Sequence, residues 1–332
     1  VLETLDAVGV RAPALRVDPE AYVARVKAQA QRLVEVTGSG ARIFEVGLRA
    51  ATCLEQHLLA LEGCKAAGIT RTSDTWGARK LGLVPVGTMG HEHIQRYESD
   101  DAAFRAMVER RHQRSSFLLD TFDTLTSGLP AAFAVMAERP EARDSIRYDS
   151  GDKEAQLRHA VKLAKERGLS PVHILEDSFD EALTRRFEAL RVELGIAPEA
   201  QIYGYGGYLV AQTSGSALTR DRVSAVYKLS QSGSRPTMKF GNESGSGKQS
   251  VPGRPVVFRR LPGARGPFGI VGQVGESPPD GYAQLSGEKA FTRPPLDEAR
   301  AVDTTDLRLG LSAQTQAMAD ALTAQAFGGP RT

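Results

Sequence analysis

Short apolar runs alternate with longer amphipathic segments along most of this chain. Segments such as Ala102–Arg111, Ala155–Arg167 and Phe179–Leu194 place apolar residues at helical spacing, whereas the runs between them have the length of strands. Strands that alternate with helices in this way form parallel βα units, so the pattern predicts an α/β fold. The apolar runs are Arg42–Val46, Ile69–Thr72, Val84–Val86, Ser116–Leu119, Ser145–Tyr148, Val172–Leu175, Gln201–Tyr205 and, more weakly, Ala225–Leu229.

The number of these units favours a closed barrel. Seven or eight units in succession suit an irregular, TIM-like βα barrel. An open doubly wound sheet usually reverses direction once and needs fewer units. We therefore expect a barrel of seven to eight parallel strands over residues 41–232.

The segments on either side of the barrel have different patterns. Residues 1–40 contain a helix that starts at Asp18 and ends near Gly38, and we expect an N-terminal helix and linker there. Residues 233–332 begin with a Gly-, Ser- and Pro-rich stretch and continue with short alternating segments, which predicts a smaller antiparallel sheet. A final helix, roughly Asp306–Ala326, is expected to close the chain.

Composition narrows the classes of function. The chain has 332 residues, of which 41% are hydrophobic and 25% charged, as in ordinary globular proteins. Its net charge of +2 gives no support for binding to nucleic acid or to a membrane surface. No apolar run approaches the ~20 residues that span a bilayer. We therefore expect small-molecule partners.

Cys53 and Cys64 are the only cysteines, and both fall on one predicted helix. Eleven residues of helix would separate them by about 16 Å, beyond the ~7 Å within which a disulfide forms. Reduced thiols are thus expected, and with them a cytoplasmic protein.

Each predicted strand ends in charged, hydroxyl-bearing or glycine residues. Because the active site of a βα barrel lies at the carboxyl ends of its strands, these segments are candidates for one common site. They are Gly47–Arg49, Thr72–Thr75, Gly87–His91, Asp120–Thr124, Asp149–Asp152, Glu176–Ser178 and Gly204–Gly207.

Helix capping explains part of this pattern. Asp152 and Asp177 stand where an N-cap would, and capping accounts for either of them as well as substrate binding does. Capping does not explain Arg49, Arg147 or His91, because a cation opposes the positive end of the helix dipole. Cations at these positions indicate that an anion binds among the strand ends.

His91 and His93 admit another interpretation. Two imidazoles two residues apart on an extended segment can share a metal ion, as in a metal-dependent barrel hydrolase. Such an enzyme would need further histidines at other strand ends. The remaining four histidines fall within helical patterns or inside a strand, which weakens the metal hypothesis.

Five motifs occur in order along the chain: Glu45–Arg49, Thr72–Asp74, Gly87–Glu92, Leu118–Thr124 and Arg147–Asp152. Together they resemble the motifs of nicotinate phosphoribosyltransferase, a type II phosphoribosyltransferase barrel. The likeness extends from residue 2 to about residue 260 and includes Tyr227–Leu229 and Pro252-Gly253. Gly207 and Leu218–Asp221 are closer to nicotinamide phosphoribosyltransferase, whereas Ser73 favours nicotinate.

The resemblance implies a definite reaction. Enzymes of this family join nicotinate to phosphoribosyl pyrophosphate, and they release nicotinate mononucleotide and pyrophosphate in NAD salvage. They couple this step to ATP hydrolysis through a phosphorylated histidine, with Mg²⁺ as cofactor. A homodimer is the assembly that the resemblance implies.

The resemblance also assigns residues. His91 would accept the phosphate, Asp149 would act with Arg147 beside the pyridine and ribose, and Asp123 would lie near the pyrophosphate and hold Mg²⁺. Arg49 would lie beside the nicotinate. The expected substrate-binding set is Arg49, Ser73, Asp74, Thr88, Arg147, Asp177, Gly206 and Gly207, of which the two glycines would meet the 5′-phosphate.

The sequence departs from the family pattern in several places. The N-terminal sheet domain of the family has no counterpart here. Ala50 replaces a second arginine, Gly90 replaces an alanine, and Glu176 stands where a small residue is usual beside the phosphate. Nicotinamide as the base, and an inactive paralogue that binds ligands without catalysis, therefore stay open as alternatives.

Overall fold

The computed structural model describes residues 18–211, 228–240, 249–284 and 309–327. The chain divides into two compact units that are interleaved along the sequence. One comprises Val1–Met89, Phe104–Asp120 and Thr124–Val226, and we call it the barrel unit. The second unit comprises Gly90–Ala103, Thr121–Asp123 and Tyr227–Thr332.

Seven parallel strands form the sheet of the barrel unit. Their order across the sheet is β3-β2-β1-β7-β6-β5-β4. The first and last strands in the sequence, β1 and β7, pair with each other at the centre, and β3 and β4 form the two edges. A backbone hydrogen bond from Met89 N to Ser116 O, 3.4 Å long, links the two edges. The strands are β1 (Ile43–Glu45), β2 (Arg71–Thr72), β3 (Val84–Pro85), β4 (Ser116–Leu118), β5 (Ser145–Tyr148), β6 (Val172–Leu175) and β7 (Gln201–Tyr205).

Helices separate these strands, and their ends follow local sequence signals. The first helix begins after Asp18, whose carboxylate accepts the amide hydrogens of Glu20 and Ala21, and it ends at Gly38 in the left-handed conformation. In chain order the helices are α1 (Pro19–Thr37), α2 (Leu54–Ala66), α3 (Thr75–Leu81), α4 (His91–Gln95), α5 (Asp100–Val108), α6 (Leu129–Ala137), α7 (Lys153–Arg167), α8 (Glu181–Leu194) and α9 (Gly207–Val210).

The core of the barrel unit contains tyrosines whose hydroxyl groups are all bonded. Tyr148, Tyr203 and Tyr205 are almost completely buried on β5 and β7. The Tyr203 hydroxyl donates to Glu188 on α8 at 2.7 Å, and the Tyr205 hydroxyl lies 2.6 Å from Thr184 Oγ1 on the same helix. Because a buried hydroxyl without a partner is costly, these bonds fix α8 against the sheet.

The second unit contains a small sheet of mixed direction. Strands β10 (Pro255–Arg260), β11 (Gly269–Gln273) and β12 (Tyr282–Gln284) are antiparallel, whereas β13 (Leu309–Leu311) pairs with β11 in parallel. Two further strands, β8 (Gln231–Ser232) and β9 (Arg235–Pro236), form a short antiparallel pair. The last helix is α10 (Ala313–Phe327).

The predicted α/β fold with a barrel-like parallel sheet is confirmed. The seven stronger apolar runs all form strands of that sheet, and the predicted small C-terminal sheet is present. That sheet is not purely antiparallel, because β13 approaches β11 from the same direction. The weaker eighth run and the motif at Leu218–Asp221 lie largely outside the described residues. None of the described helices has the length and apolar character needed to cross a membrane.

Candidate active site

A cavity of about 860 Å³ opens at the carboxyl ends of the strands in the barrel unit. Its walls come from the segments that follow β1, β2, β3, β5, β6 and β7. Eight residues of the predicted site line it together: Arg49, Ser73, Thr88, Arg147, Asp149, Asp177, Gly206 and Gly207.

Arg147 lies at the centre of a polar network on one wall of this cavity. Its guanidinium donates to Thr88 Oγ1 at 2.6 Å and to Asp149 Oδ1 at 2.6 Å, and its Nε lies 2.9 Å from Glu176 Oε2. Burial alone would lower the pKa of Arg147, but the carboxylates of Glu176 and Asp149 raise it above its ordinary value. The guanidinium is therefore held as a cation in a fixed orientation.

Glu176 is the buried partner that the motifs did not assign. Its side chain is 4% exposed at the end of β6, and desolvation raises the pKa of its carboxyl, while the nearby Arg147 opposes that rise. A Cβ on Gly204 would come within 2.6 Å of the Glu176 Cγ, so β7 needs glycine at this position to leave room for the glutamate. The only sequence signal for Glu176 is its departure from the small residue expected there.

Arg49 differs from Arg147 because it forms no ion pair with any residue that the structure describes. It lies on a single 3-10 turn, Leu48–Ala50, that follows β1, and its side chain is exposed. Among the described residues no carboxylate forms an ion pair with it, and its charge acts on Glu176 only at longer range. Arg49 is thus a cation in the cavity wall that is available to an anionic ligand.

The turn after β6 has an unusual backbone. Asp177 and Ser178 adopt φ angles of +58° and +61°, and both line the cavity. Two successive non-glycine residues in the left-handed region cost of order 1–3 kcal/mol each. Such strain is maintained where the surrounding structure fixes a side chain for use, and here it directs Asp177 and Ser178 to the cavity.

Asp74 does not line the cavity, although the motifs placed it in the substrate-binding set. One carboxylate oxygen accepts the amide hydrogens of Trp76 and Gly77 at 2.9 and 3.0 Å, which caps α3. The other lies 3.1 Å from His57 Nδ1. Its neighbour Ser73 faces the cavity instead, and the Ser73 amide donates to Glu45 O at 2.9 Å.

His57 connects the ends of β1 and β2. Its ring is fully buried, with Nδ1 3.1 Å from Asp74 Oδ2 and Nε2 3.1 Å from Glu45 Oε1. Burial lowers the pKa of His57, but hydrogen bonds and charges from Glu45 and Asp74 outweigh it, so the pKa is raised. Glu45 also accepts from the amide of Gly47 and, at 2.7 Å, from Thr72 Oγ1. One imidazole therefore ties together the segments that present Arg49 and Ser73.

His91 belongs to the second unit, where it is the first residue of α4. Its Nδ1 lies 3.0 Å from Thr121 Oγ1, and its Nε2 lies 2.9 Å from the Nζ of Lys239, a residue that is only 3% exposed. An ammonium group donates and does not accept, so Nε2 carries a lone pair and the proton of the neutral ring resides on Nδ1.

Two aromatic rings hold this arrangement in place. Phe122, next to Thr121, stacks on Phe240, next to Lys239, with ring centroids 5.4 Å apart. The Phe240 amide also donates to Thr121 O at 3.3 Å. Lys239 lies in a segment without periodic pattern, so nothing in the sequence indicated that it would meet a histidine 148 positions earlier.

His93 and Asp123 also lie in the second unit. His93 Nε2 donates to Ala103 O at 2.9 Å, and its ring packs on Tyr97 with centroids 5.1 Å apart. Among the described residues, His93 does not group with His91 as a possible metal ligand, so the structure gives no support to the metal pair considered from the sequence. Asp123 is half-buried in the second unit, beside the Phe122 ring.

Comparison with known proteins gives a consistent result. No family model matches the chain. It is 27% identical over 245 residues to the nicotinate phosphoribosyltransferase of Bacillus subtilis, a match that covers 72% of this chain and 47% of that protein. It is 30% identical over 234 residues to nicotinate phosphoribosyltransferase pncB2 of Mycobacterium tuberculosis, covering 69% of this chain and 46% of that protein.

A solved structure shows the same fold. The crystal structure of nicotinate phosphoribosyltransferase from Porphyromonas gingivalis matches with a TM-score of 0.54 at 19% identity, over 74% of this chain and 63% of that one. The chain spans about half the length of the curated relatives it matches. The curated relatives and the structural neighbour are nicotinate phosphoribosyltransferases, which confirms the family resemblance that the motifs indicated.

Proposed function

We propose that this protein transfers the phosphoribosyl group of phosphoribosyl pyrophosphate to nicotinate and forms nicotinate mononucleotide and pyrophosphate. The observation that carries this proposal is the convergence of eight predicted site residues on one cavity at the carboxyl ends of the parallel strands. Those residues come from six separate strand ends, so helix capping at any one of them does not account for the cavity.

Arg49 is the group that binds the carboxylate of nicotinate. Guanidinium presents paired donors that suit a carboxylate, and Arg49 has no ion-pair partner among the described residues. Arg147 is less suited to this role because its guanidinium already donates to Thr88 and Asp149 and forms an ion pair with Glu176. It orients Asp149 and Glu176 instead.

The carboxylates in the cavity suit the chemistry of transfer. In the reaction the pyridine nitrogen bonds to C1′ while the bond from C1′ to the pyrophosphate oxygen breaks, so C1′ gains positive charge and pyrophosphate gains negative charge. Asp149, Glu176 and Asp177 line the cavity where the positive charge would develop. Arg147 holds Asp149 in place, so this stabilisation needs no rearrangement during the step.

Mg²⁺ fits the oxygen donors that the cavity offers. Asp149, Asp177 and Asp180 present hard carboxylate oxygens, and Mg²⁺ is usually bound through one or two carboxylates together with substrate phosphates. When bound, the ion would neutralise charge on the departing pyrophosphate. Asp123 lies in the second unit, and its role as a Mg²⁺ ligand stays a prediction.

We further propose that His91 accepts the γ-phosphate of ATP. Its Nε2 has the lone pair needed for attack on phosphorus, and that attack breaks the bond to the ADP oxygen. The ammonium group of Lys239 lies beside the same nitrogen and would attract the phosphate. The proton on Nδ1 stays on the ring and donates to Thr121.

Nicotinamide is the second candidate base. The cavity wall has four acidic residues and two arginines, and a carboxylate accepts a hydrogen bond from the amide of nicotinamide but repels the carboxylate of nicotinate.

The proposed transfer reaction would serve NAD salvage in the cytoplasm, with a homodimer as the working assembly. A monomer in sedimentation velocity at micromolar concentration would contradict the dimer.

The choice of base is tested with Arg49→Gln. We expect the KM for nicotinate to rise at least tenfold in this variant, because a charge-assisted pair with the carboxylate is worth roughly 1.5–3 kcal/mol. Arg79→Gln, an exposed arginine in the last turn of α3, is the matched control and should leave the KM unchanged. Equal KM values in the two variants would contradict the role of Arg49.

The phosphate acceptor is tested by labelling. Incubation with γ-³²P-labelled ATP should place acid-labile label on wild-type protein but not on His91→Asn. Label of equal amount in both proteins would refute His91 as the acceptor and leave the transfer reaction itself untouched.

A further inference from the structure

A second cavity of about 190 Å³ in the barrel unit extends to the amino ends of several strands. The first residues of β2, β4, β5 and β6 contribute to its walls, together with Ile202 near the start of β7. It is about six times the ~30 Å³ that one water molecule occupies in the liquid, so it admits a small polyatomic ligand.

Arginines surround this cavity, and none of the described residues that line it is acidic. The arginines are Arg71, Arg111, Arg114 and Arg143. Arg71 donates to Ala41 O at 3.0 Å, whereas the other three are exposed and form no ion pair within the described residues. The catalytic cavity of the same unit has the opposite balance of charge, because two arginines and four carboxylates line it.

The buried acid Asp144 does not neutralise these arginines. Asp144 adjoins Arg143 in sequence, but its carboxylate is occupied by Arg139 at 3.1 Å and by the amide of Ser115 at 2.7 Å. Four cations around one small cavity repel one another, and that repulsion is relieved when an anion binds between them. Within the described part of the chain, the positive charge of this cavity is therefore uncompensated.

A hydroxyl group adds a specific donor. The Ser116 hydroxyl oxygen is buried and has no hydrogen-bond partner among the described residues, although Ser116 lines the cavity. The neighbouring hydroxyls of Ser115 and Ser145 are already bonded to backbone carbonyls. A buried polar atom of this kind normally has a partner, which points to a ligand with acceptor oxygens.

We propose that this cavity is an anion site that binds a small phosphate-bearing ligand, with inorganic phosphate and pyrophosphate as its two candidate occupants. Guanidinium groups match the oxygens of phosphate geometrically, and the cavity volume suits one or two phosphate groups but not a whole dinucleotide. Phe44 and Val86–Thr88 line both cavities, so a ligand here adjoins the wall that holds Arg147 through Thr88. The site does not depend on the proposed function.

Arginine-selective labelling tests the proposal at the level of single residues. The full chain is treated with phenylglyoxal in the absence and presence of inorganic phosphate or pyrophosphate, and labelling of each arginine is measured by peptide mass spectrometry. We expect one of the two anions to reduce labelling of Arg111, Arg114 and Arg143 at least threefold. Arg79 and Arg167, exposed arginines outside both cavities, should be labelled equally in all samples. Equal labelling at the cavity arginines would overturn the proposal.

A double variant separates this site from the catalytic cavity. Arg114→Gln with Arg143→Gln removes two exposed guanidiniums, and thermal unfolding checks that the fold persists. Protection of Arg111 should then disappear, while any protection of Arg49 reports anion binding in the catalytic cavity and should remain. Protection confined to Arg49 in the wild-type protein would refute the second site but not the proposed function. Protection of Arg111, Arg114 and Arg143 without mononucleotide formation would support the second site and refute the proposed function. The comparison of the two anions identifies which one the site prefers.

Discussion

Replacement of His57 is the most informative perturbation of the barrel unit. The imidazole is fully buried between Glu45 and Asp74, 3.1 Å from each carboxylate, and it joins the strand ends that present Arg49 and Ser73. We consider His57→Leu, which removes both donors, and His57→Gln, which keeps an amide donor of similar length without the charge.

The expected losses of stability follow from the burial of the two carboxylates. His57→Leu leaves both carboxylates without their cationic partner, and removal of one partner of a buried ion pair typically costs about 3–5 kcal/mol. His57→Gln retains a hydrogen bond and should cost about 1–3 kcal/mol. Because domains are stable by only about 5–15 kcal/mol, the leucine variant is expected to be strongly destabilised.

The stability lost on replacement of His57 depends on pH in a direction that follows from its pKa. The pKa of His57 is raised in the folded protein above its unfolded value of about 6.5, so the folded state binds the proton more tightly. Its contribution is therefore fully present below that unfolded pKa and is lost as pH rises through the higher folded pKa. The stability difference between wild-type and His57→Gln should be largest in mild acid and should shrink towards alkaline pH.

Urea denaturation at several pH values between about 5.5 and 9 measures this difference. The matched control is His159→Gln, because His159 is exposed on α7. We expect the control to follow the wild-type curve. A His57→Gln variant that loses no more stability than the control, or whose loss does not change with pH, would refute the charged imidazole bridge. A loss of stability with an unchanged KM for nicotinate would show that the bridge does not position Arg49.

Two further substitutions test the contacts around the site. Gly204→Ala should lower stability by about 1–3 kcal/mol and raise the KM for phosphoribosyl pyrophosphate, because its Cβ would lie 2.6 Å from the Glu176 Cγ. The loss caused by Gly204→Ala should be much smaller in a Glu176→Ala background than in the wild-type protein, and an equal loss in both backgrounds would contradict this steric cause. Lys239→Gln should reduce phosphate transfer from labelled ATP to His91 at least tenfold while the melting temperature stays near that of Lys80→Gln, an exposed control. If the Lys239→Gln protein took up as much labelled phosphate as the wild-type protein, the role of Lys239 in phosphate transfer would be refuted.

The strands and their carboxyl ends could be predicted from the sequence because both have local signatures. Buried parallel strands are continuous apolar runs, and each of these stops at a glycine or polar residue. Val172–Leu175 and Gln201–Tyr205 were predicted with the same bounds that the structure has. Since parallel strands bring their carboxyl ends to one edge, the residues of the catalytic cavity followed from their order in the sequence.

Contacts between distant segments could not be predicted in this way. Lys239 reaches His91 from a segment without periodic pattern, and stacking of Phe122 on Phe240 is a tertiary contact with no local signal. Asp74 belongs to a family motif, yet its carboxylate faces His57 and the start of α3, because a buried imidazole and free amides compete for it. The parallel pairing of β13 likewise depends on long-range packing.

The most direct test of the account is the identity of the product. The purified chain is incubated with phosphoribosyl pyrophosphate, Mg²⁺ and either nicotinate or nicotinamide, with and without ATP, and products are identified by mass spectrometry. The account predicts nicotinate mononucleotide together with an equal amount of pyrophosphate, and more of both when ATP is present. Absence of mononucleotide from either base, with the fold intact by circular dichroism, would contradict the proposed reaction. Formation of nicotinamide mononucleotide alone would contradict the assignment of Arg49 to a carboxylate.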